Sequence, residues 1–148
     1  MLGQNQATAQ AQAYSSPVQL PGTTWDGTKI GNGEYSSLAV KTDGTLWAWG
    51  YNGLGNLGQN DVAQRSSPVQ VPGTNWAATG HTTYGSYGIK TDGTLWIWGR
   101  NNEGQLAQNN RTNYSSPVQI PGTDWVTTVR AAIQGGTNNE HLPLLKNP

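Results

Sequence analysis

The chain has 148 residues, enough for one domain burying roughly 68–70% of its unfolded surface, and it carries no net charge, with only 11% charged residues. No basic stripe is available to neutralise phosphates, so nucleic acid is not an expected partner. The absence of Cys excludes disulfides and thiolate metal sites.

At the N-terminus, Met1-Leu-Gly-Gln-Asn-Gln lacks a basic start followed by an apolar run, and no signal peptide is read from it. Nowhere does an apolar stretch approach the ~18 residues of a membrane span. Residues 1–24 read as the tail end of a repeat unit, carrying its outer strand: Leu2-Gly-Gln-Asn5 returns as Leu57-Gly-Gln-Asn60 and Leu106-Ala-Gln-Asn109. Ser-Ser-Pro-Val-Gln-x-Pro-Gly-Thr then begins at Ser15, Ser66 and Ser115, 51 and 49 residues apart, and each copy is followed by a Trp at one offset: Trp25, Trp76 and Trp125. A fixed period of this length is the mark of a repeat architecture. Complete units are assigned to 25–75 and 76–124, and residues 125–148 read as the head end of a divergent unit, with His141–Lys146 aligning loosely to Ser36–Lys41.

Inside each unit lies Lys-Thr-Asp-Gly-Thr-Leu-Trp-x-Trp-Gly, starting at Lys41 and Lys90. Asp43-Gly44 and Asp92-Gly93 stand between alternating apolar runs and predict a two-residue, type I′ hairpin turn. Leu38, Val40, Leu46 and Ala48 share one face of the first hairpin, while Trp47 and Trp49 take the other. Tyr87, Ile89, Leu95 and Ile97 repeat the first face, and Trp96 and Trp98 the second. Because both faces are apolar, each hairpin is expected to have neighbours above and below it. In the Ser-Ser-Pro-Val-Gln strand Pro17 and Pro21 flank the alternating Val18 and Leu20, which marks the strand as an edge, and Pro21-Gly22 predicts a type II turn.

The Lys-Thr-Asp-Gly, Leu-Trp-x-Trp-Gly, Asn101–Asn109 and Ser-Ser-Pro-Val-Gln segments together resemble the repeat of the RCC1 (regulator of chromosome condensation) superfamily. In wording they are most similar to bacterial and bacteriophage-type repeats. The resemblance implies an all-β fold, a partial β-propeller built of about 50-residue, four-stranded blades. Two whole units and two fragments fall short of the about four blades that a ring needs, so the ring is not closable by one chain. Nucleotide exchange on a small GTPase belongs to particular eukaryotic members, and the positions matched here are those that build blades. The sequence departs from the family where a His often precedes the Leu strand: Ser36 and Gly85 stand there instead.

Trp47, Trp49, Trp96 and Trp98 are assigned to packing between blades, and Asp43, Gly44, Asp92 and Gly93 to turns. Tyr51, Asn52, Arg100, Asn101 and Asn102 open the loops after Trp-x-Trp-Gly and form the candidate surface contact. His81 and His141 are far apart and have no ligand cluster, so no metal site is expected. Neither a nucleophile elbow nor a phosphate-loop lysine is present, and neither catalytic residues nor a cofactor are expected. The resulting expectation is a non-enzymatic scaffold for assembly or surface recognition, in a virion or on a bacterial surface. Its partner would be a protein or a second copy completing the propeller, with a glycan as a further ligand class; the alternatives are a regulatory propeller binding an intracellular protein such as a small GTPase and a lectin-like glycan-binding module.

Overall fold

The computed structural model describes residues 19–125, and the fragments at 1–18 and 126–148 lie outside that range, including most of the first Ser-Ser-Pro-Val-Gln strand and His141–Lys146. The described residues form eight strands. In chain order they are β1 (Trp25–Asn32), β2 (Ser36–Lys41), β3 (Leu46–Gly50), β4 (Arg65–Gln70), β5 (Trp76–His81), β6 (Gly85–Lys90), β7 (Leu95–Gly99) and β8 (Tyr114–Ile120). They make two four-stranded antiparallel sheets, ordered β1-β2-β3-β4 and β5-β6-β7-β8. Each sheet is one blade. Pro68 and Pro117 fall in β4 and β8, the edge strands, where a residue that cannot donate to a ladder is tolerated.

The two blades dock head to tail. Leu38, Val40, Leu46 and Ala48 are paired across β2 and β3 and join Leu57 and Val71 in a fully buried cluster that Trp76 and Trp98 of the second blade close. Complete burial of a Leu or Val side chain contributes about 1.5–3 kcal/mol, which makes this seam a major source of stability. Trp76 and Trp98 meet edge to face, with ring centroids 6.2 Å apart. Hydrogen bonds fix the seam's register: Trp76 N–H donates to Gly44 O (2.9 Å), Asn60 N–H to Ser115 O (2.7 Å), and Trp98 Nε1–H to Asn56 O (3.0 Å). A Cβ on Gly55 would lie 2.6 Å from Ser115 Cα, so only glycine lets the first blade's loop reach the second blade. On the far side, Tyr87, Ile89, Leu95 and Ile97 gather with Ala78, Leu106 and Ile120, and Trp125 packs against them.

Three expectations need correction. The Asp-Gly turn is not a two-residue type I′ loop: Asp43 keeps a negative φ and only Gly44 is left-handed (φ 79°), as is Gly93 (φ 78°). Lys41 N–H donates to Thr45 O and Gly44 N–H to Lys41 O, both at 2.9 Å, which describes a three-residue loop with a type I turn and a glycine bulge. Asp43 Oδ1 stabilises it by accepting from Thr45 N–H (2.9 Å) and Thr45 Oγ1 (2.7 Å), and Asp92 does the same for Thr94. These bonds hold both carboxyls below the usual carboxylate range, Thr45 and Thr94 being the principal causes.

The second correction concerns Trp47 and Trp96, which are half-buried, whereas Trp49 and Trp98 are buried. Each half-buried ring sends its Nε1–H to a turn threonine, Thr45 or Thr94, and offers its face to a lysine ammonium, Lys41 Nζ at 4.3 Å and Lys90 Nζ at 4.6 Å. Trp96 nevertheless packs against the core cluster of the seam, so it lies between the blades as expected, and Trp47 meets Trp25 edge to face; the correction is to how deeply the two rings are buried. The third correction concerns two loop asparagines and belongs with the site.

Candidate functional site

Tyr51 and Arg100 begin the β3–β4 and β7–β8 loops, where Tyr51 N–H donates to Tyr35 O (2.9 Å) and Arg100 N–H to Tyr84 O (3.0 Å). This places two side-chain pairs at the same end of the two blades. Tyr35 and Tyr51 meet edge to face at 6.2 Å, and the Arg100 guanidinium lies 5.5 Å from the centre of the Tyr84 ring. Tyr35 is 51% exposed, the most open aromatic ring among the large exposed apolar residues. Its hydroxyl is held above the ordinary tyrosine range by a hydrogen bond to Glu34 and by that residue's charge, with a smaller electrostatic contribution from Tyr84.

Asn52 and Asn101 are fully buried and are not surface contacts. Asn52 Nδ2 donates to Asp61 O, Asp61 Oδ1 and Ala63 O at 3.0–3.1 Å, and its Oδ1 accepts from Leu57 N–H at 2.9 Å. Asn101 repeats the arrangement, with Nδ2 donating to Asn110 O (2.9 Å) and Oδ1 accepting from Leu106 N–H (2.8 Å). A buried amide satisfied in this way ties the two ends of its loop together. Asn102 is exposed, and Tyr51 and Arg100 are half-buried. Tyr35 and Tyr84 were missed from the sequence, yet they are separated by 49 residues, as are Tyr51 and Arg100, and the repeat spacing carried that signal.

Thr82, Thr83, Tyr84, Gly85, Arg100 and Gln105 line a shallow recess, open to solvent, with a cavity volume of only about 10 Å³. Sites that enclose small molecules generally run about 300–1,000 Å³, so this rim presents a contact surface and not an enclosing pocket. Beside it, His81 is buried against the first blade, where a Cβ on Gly33 would lie 3.2 Å from its Cγ. Ser86 Oγ–H donates to Asn56 O (2.7 Å), so the Ser86 oxygen, 3.0 Å from His81 Nδ1, accepts an Nδ1–H. Nε2 is then the bare nitrogen, and it has no partner. Burial lowers the imidazole pKa from 6.5 to about 4, opposed by the Gly85 carbonyl near Nδ1. Among the described residues no group of three His, Cys, Asp or Glu side chains is placed to hold a metal ion.

Residues 43–82 and 92–141 match the regulator of chromosome condensation (RCC1) repeat, and a second model of that repeat matches 28–56. The chain belongs to the RCC1 repeat family. Its blades are similar in fold to parts of several solved structures. Human WBSCR16 is 23% identical over 62% of this chain, with a TM-score of 0.58. Prp20p from Saccharomyces cerevisiae, described with its binding to Gsp1p and histones, is 16% identical over 72%, with a TM-score of 0.58. Yeast RCC1 (Prp20), in its complex with Kap60, is 22% identical over 65%, with a TM-score of 0.52. This RCC1-repeat chain spans about a quarter of each of them, covering 24%, 27% and 25% of their lengths.

Proposed function

We propose that this chain is a non-enzymatic propeller scaffold for structural assembly or surface recognition, acting in a bacteriophage virion or on a bacterial surface. It works with a protein partner or a second copy that supplies further blades. The observation that carries this reading is the asymmetric seam, in which the Trp76/Trp98 face of one blade seats on the Leu38/Val40/Leu46/Ala48 face of the other. Both face types recur in each blade, with Trp25, Trp47 and Trp49 on one side of the first and Tyr87, Ile89, Leu95 and Ile97 on one side of the second. A head-to-tail interface of this kind propagates into rings. A composition with zero net charge, few charged residues and much Asn, Gln, Thr and Gly is consistent with an extracellular particle. The rim of Tyr35, Tyr51, Tyr84 and Arg100 is the recognition surface in this reading, because Tyr and Arg are the residue types enriched where proteins meet. Static light scattering tests the assembly, and a folded monomer at micromolar concentration whose mass and stability ignore deletion of residues 1–20 would refute it. Glycan-array binding lost on Tyr51→Ala would identify the rim's ligand as a sugar.

A second reading is a regulatory propeller for an intracellular protein such as a small GTPase. It is favoured by the yeast relative's binding to Gsp1p. Nucleotide release from a panel of small GTPases separates the two readings, since acceleration by this chain supports only the second.

A further inference from the structure

The seam between the two blades shows how the loop of one blade seats the next. In the β3–β4 loop Gly55, Asn56 and Gly58 are buried, with Ser115 against Gly55 and the Trp98 indole against Gly58. Asn60 N–H donates to Ser115 O (2.7 Å), and Ser116 Oγ–H donates to Asn60 Oδ1 (3.3 Å). The β7–β8 loop, 49 residues on, holds the same shape. Gly55 and Gly104 both have φ 80°, and Asn109 (φ 55°) repeats Asn60 (φ 58°). Yet this second loop stands more open. Gly104 and Gln105 are half-buried and Ala107 is exposed, and among the described residues no hydrogen-bond partner meets the N–H or the Oδ1 of Asn109.

Trp125 N–H donates to Gly93 O (3.1 Å) as Trp76 N–H does to Gly44 O (2.9 Å), so the next blade begins with this chain's own Trp125. The intact first blade of a second copy does not fit there, because its Trp25 would need the acceptor that Trp125 holds. Its Trp49, the counterpart of Trp98, would also crowd Ala107: at the first seam a Cβ on Gly58 would lie 3.0 Å from Trp98 Nε1. What fits is a Ser-Ser-Pro strand by itself. The sequence holds three, and those at Ser66 and Ser115 already form the edge strands β4 and β8, which leaves Ser15–Gln19. This segment leads through Pro21-Gly22 into Trp25, as β4 leads through Pro72-Gly73 into Trp76, and so belongs to the blade ahead of the first one. Leu20 agrees, being half-buried where its counterparts Val71 and Ile120 are buried. One chain could bring the segment to its own β7–β8 loop only by closing a ring of three blades, fewer than the about four of the smallest propellers.

We propose that Ser15–Gln19 of a second copy docks on the β7–β8 loop and adds the outer strand to the blade that Trp125 begins. Ser15 O accepts from Asn109 N–H and Ser16 Oγ–H donates to Asn109 Oδ1, the same two bonds that Ser115 and Ser116 make with Asn60. The exchange is reciprocal, each copy lending its segment to the other, so the pair is two-fold symmetric and closes on itself. This rests on the reading that a second copy supplies further blades, and it names the segment and the loop through which that happens.

The chain has no Cys, so an introduced pair reports the contact without background. In the full chain, Ser16→Cys combined with Asn109→Cys should give a covalent dimer on oxidation, with loss of the monomer band on a non-reducing gel and a proteolytic fragment joining positions 16 and 109. Asn60→Cys combined with Ser116→Cys is the control, since those side chains touch across the first seam and should lock within one chain. Hydrogen exchange of the unsubstituted chain is the second measurement. Asn109 N–H should be protected as Asn60 N–H is, and deletion of residues 1–20 should remove protection at Asn109 while keeping it at Asn60. A disulfide-closed monomer would show the segment returning to its own loop and would overturn the proposal. An assembly by light scattering in which Asn109 N–H exchanges freely would also overturn it, while leaving the second-copy reading intact. A folded monomer with Asn109 unprotected would remove both.

Discussion

Lowering the pH should weaken this fold well before its carboxylates titrate, because His81 must stay neutral to remain buried. In the folded chain its pKa lies at about 4, against 6.5 when exposed. Burial is the main cause, and the unpartnered Nε2 shows why: a second proton would place an N–H where no acceptor waits. Above pH 6.5 both folded and unfolded chains carry a neutral imidazole, and the stability is fully present. Between 6.5 and about 4 the unfolded chain binds a proton that the folded chain refuses, so stability falls with pH. The shift corresponds to about 3 kcal/mol lost across that window, at 1.36 kcal/mol per pKa unit. Below it the slope passes to the acids. Asp26, drawn down to about 2 chiefly by its hydrogen bonds from Thr28, and Asp43, Asp61 and Asp92, also held low, contribute stability above 3.8 that is lost as they protonate. Urea unfolding at pH 7, 5.5 and 4, in a His141→Gln background that removes the other histidine, measures the first window by itself. His81→Gln should start less stable and show a much flatter dependence between pH 7 and 4. Equal slopes for the two proteins would mean that water or an acid reaches the ring, and the burial argument would fail.

Trp76→Ala should cost about 3–5 kcal/mol, as removal of a fully buried aromatic does. Trp96→Ala should cost less, within the about 0.5–3 kcal/mol of ordinary substitutions, because its ring is half-exposed; equilibrium unfolding that ranked them in reverse would contradict the blade geometry. Asn52→Ala leaves Leu57 N–H and the Asp61 and Ala63 carbonyls unpaired and should destabilise by more than about 2 kcal/mol, with proteolytic cleavage appearing within residues 51–64. Gly55→Ala drives a methyl into Ser115 and demands a left-handed alanine (φ 80°), so it should loosen the seam. Hydrogen exchange at Asn60 N–H, bonded to Ser115 O across that seam, would rise in this variant, and unchanged protection there would refute the close approach.

Much of the fold was legible because its determinants are local. Alternating side chains, an Asp-Gly turn and a proline at an edge each act within a few residues, and a 49-residue repeat supplies every signal twice. The apolar character of both hairpin faces also pointed to neighbours above and below. Even the local reading stopped short at the hairpin: Asp-Gly accommodates several loops, and the three-residue form wins where the Thr after the glycine can satisfy the aspartate. The candidate site was less legible. Tyr51 and Arg100 were visible as loop openers, but Tyr35 and Tyr84 join them only because the chain returns through a second link to place their carbonyls against the loop. Asn52 and Asn101 look like surface residues in any window of sequence, and they are buried because loop residues nine to eleven positions onward fold back over them. His81 is silent in sequence, since its environment comes from Gly33 of the other blade and from the Ser86 hydroxyl that Asn56 turns towards itself. Strand, turn and edge are properties of neighbours along the chain, whereas burial and the partner of a polar atom depend on which distant backbone arrives beside it, and here the docking of one blade on the next decides that.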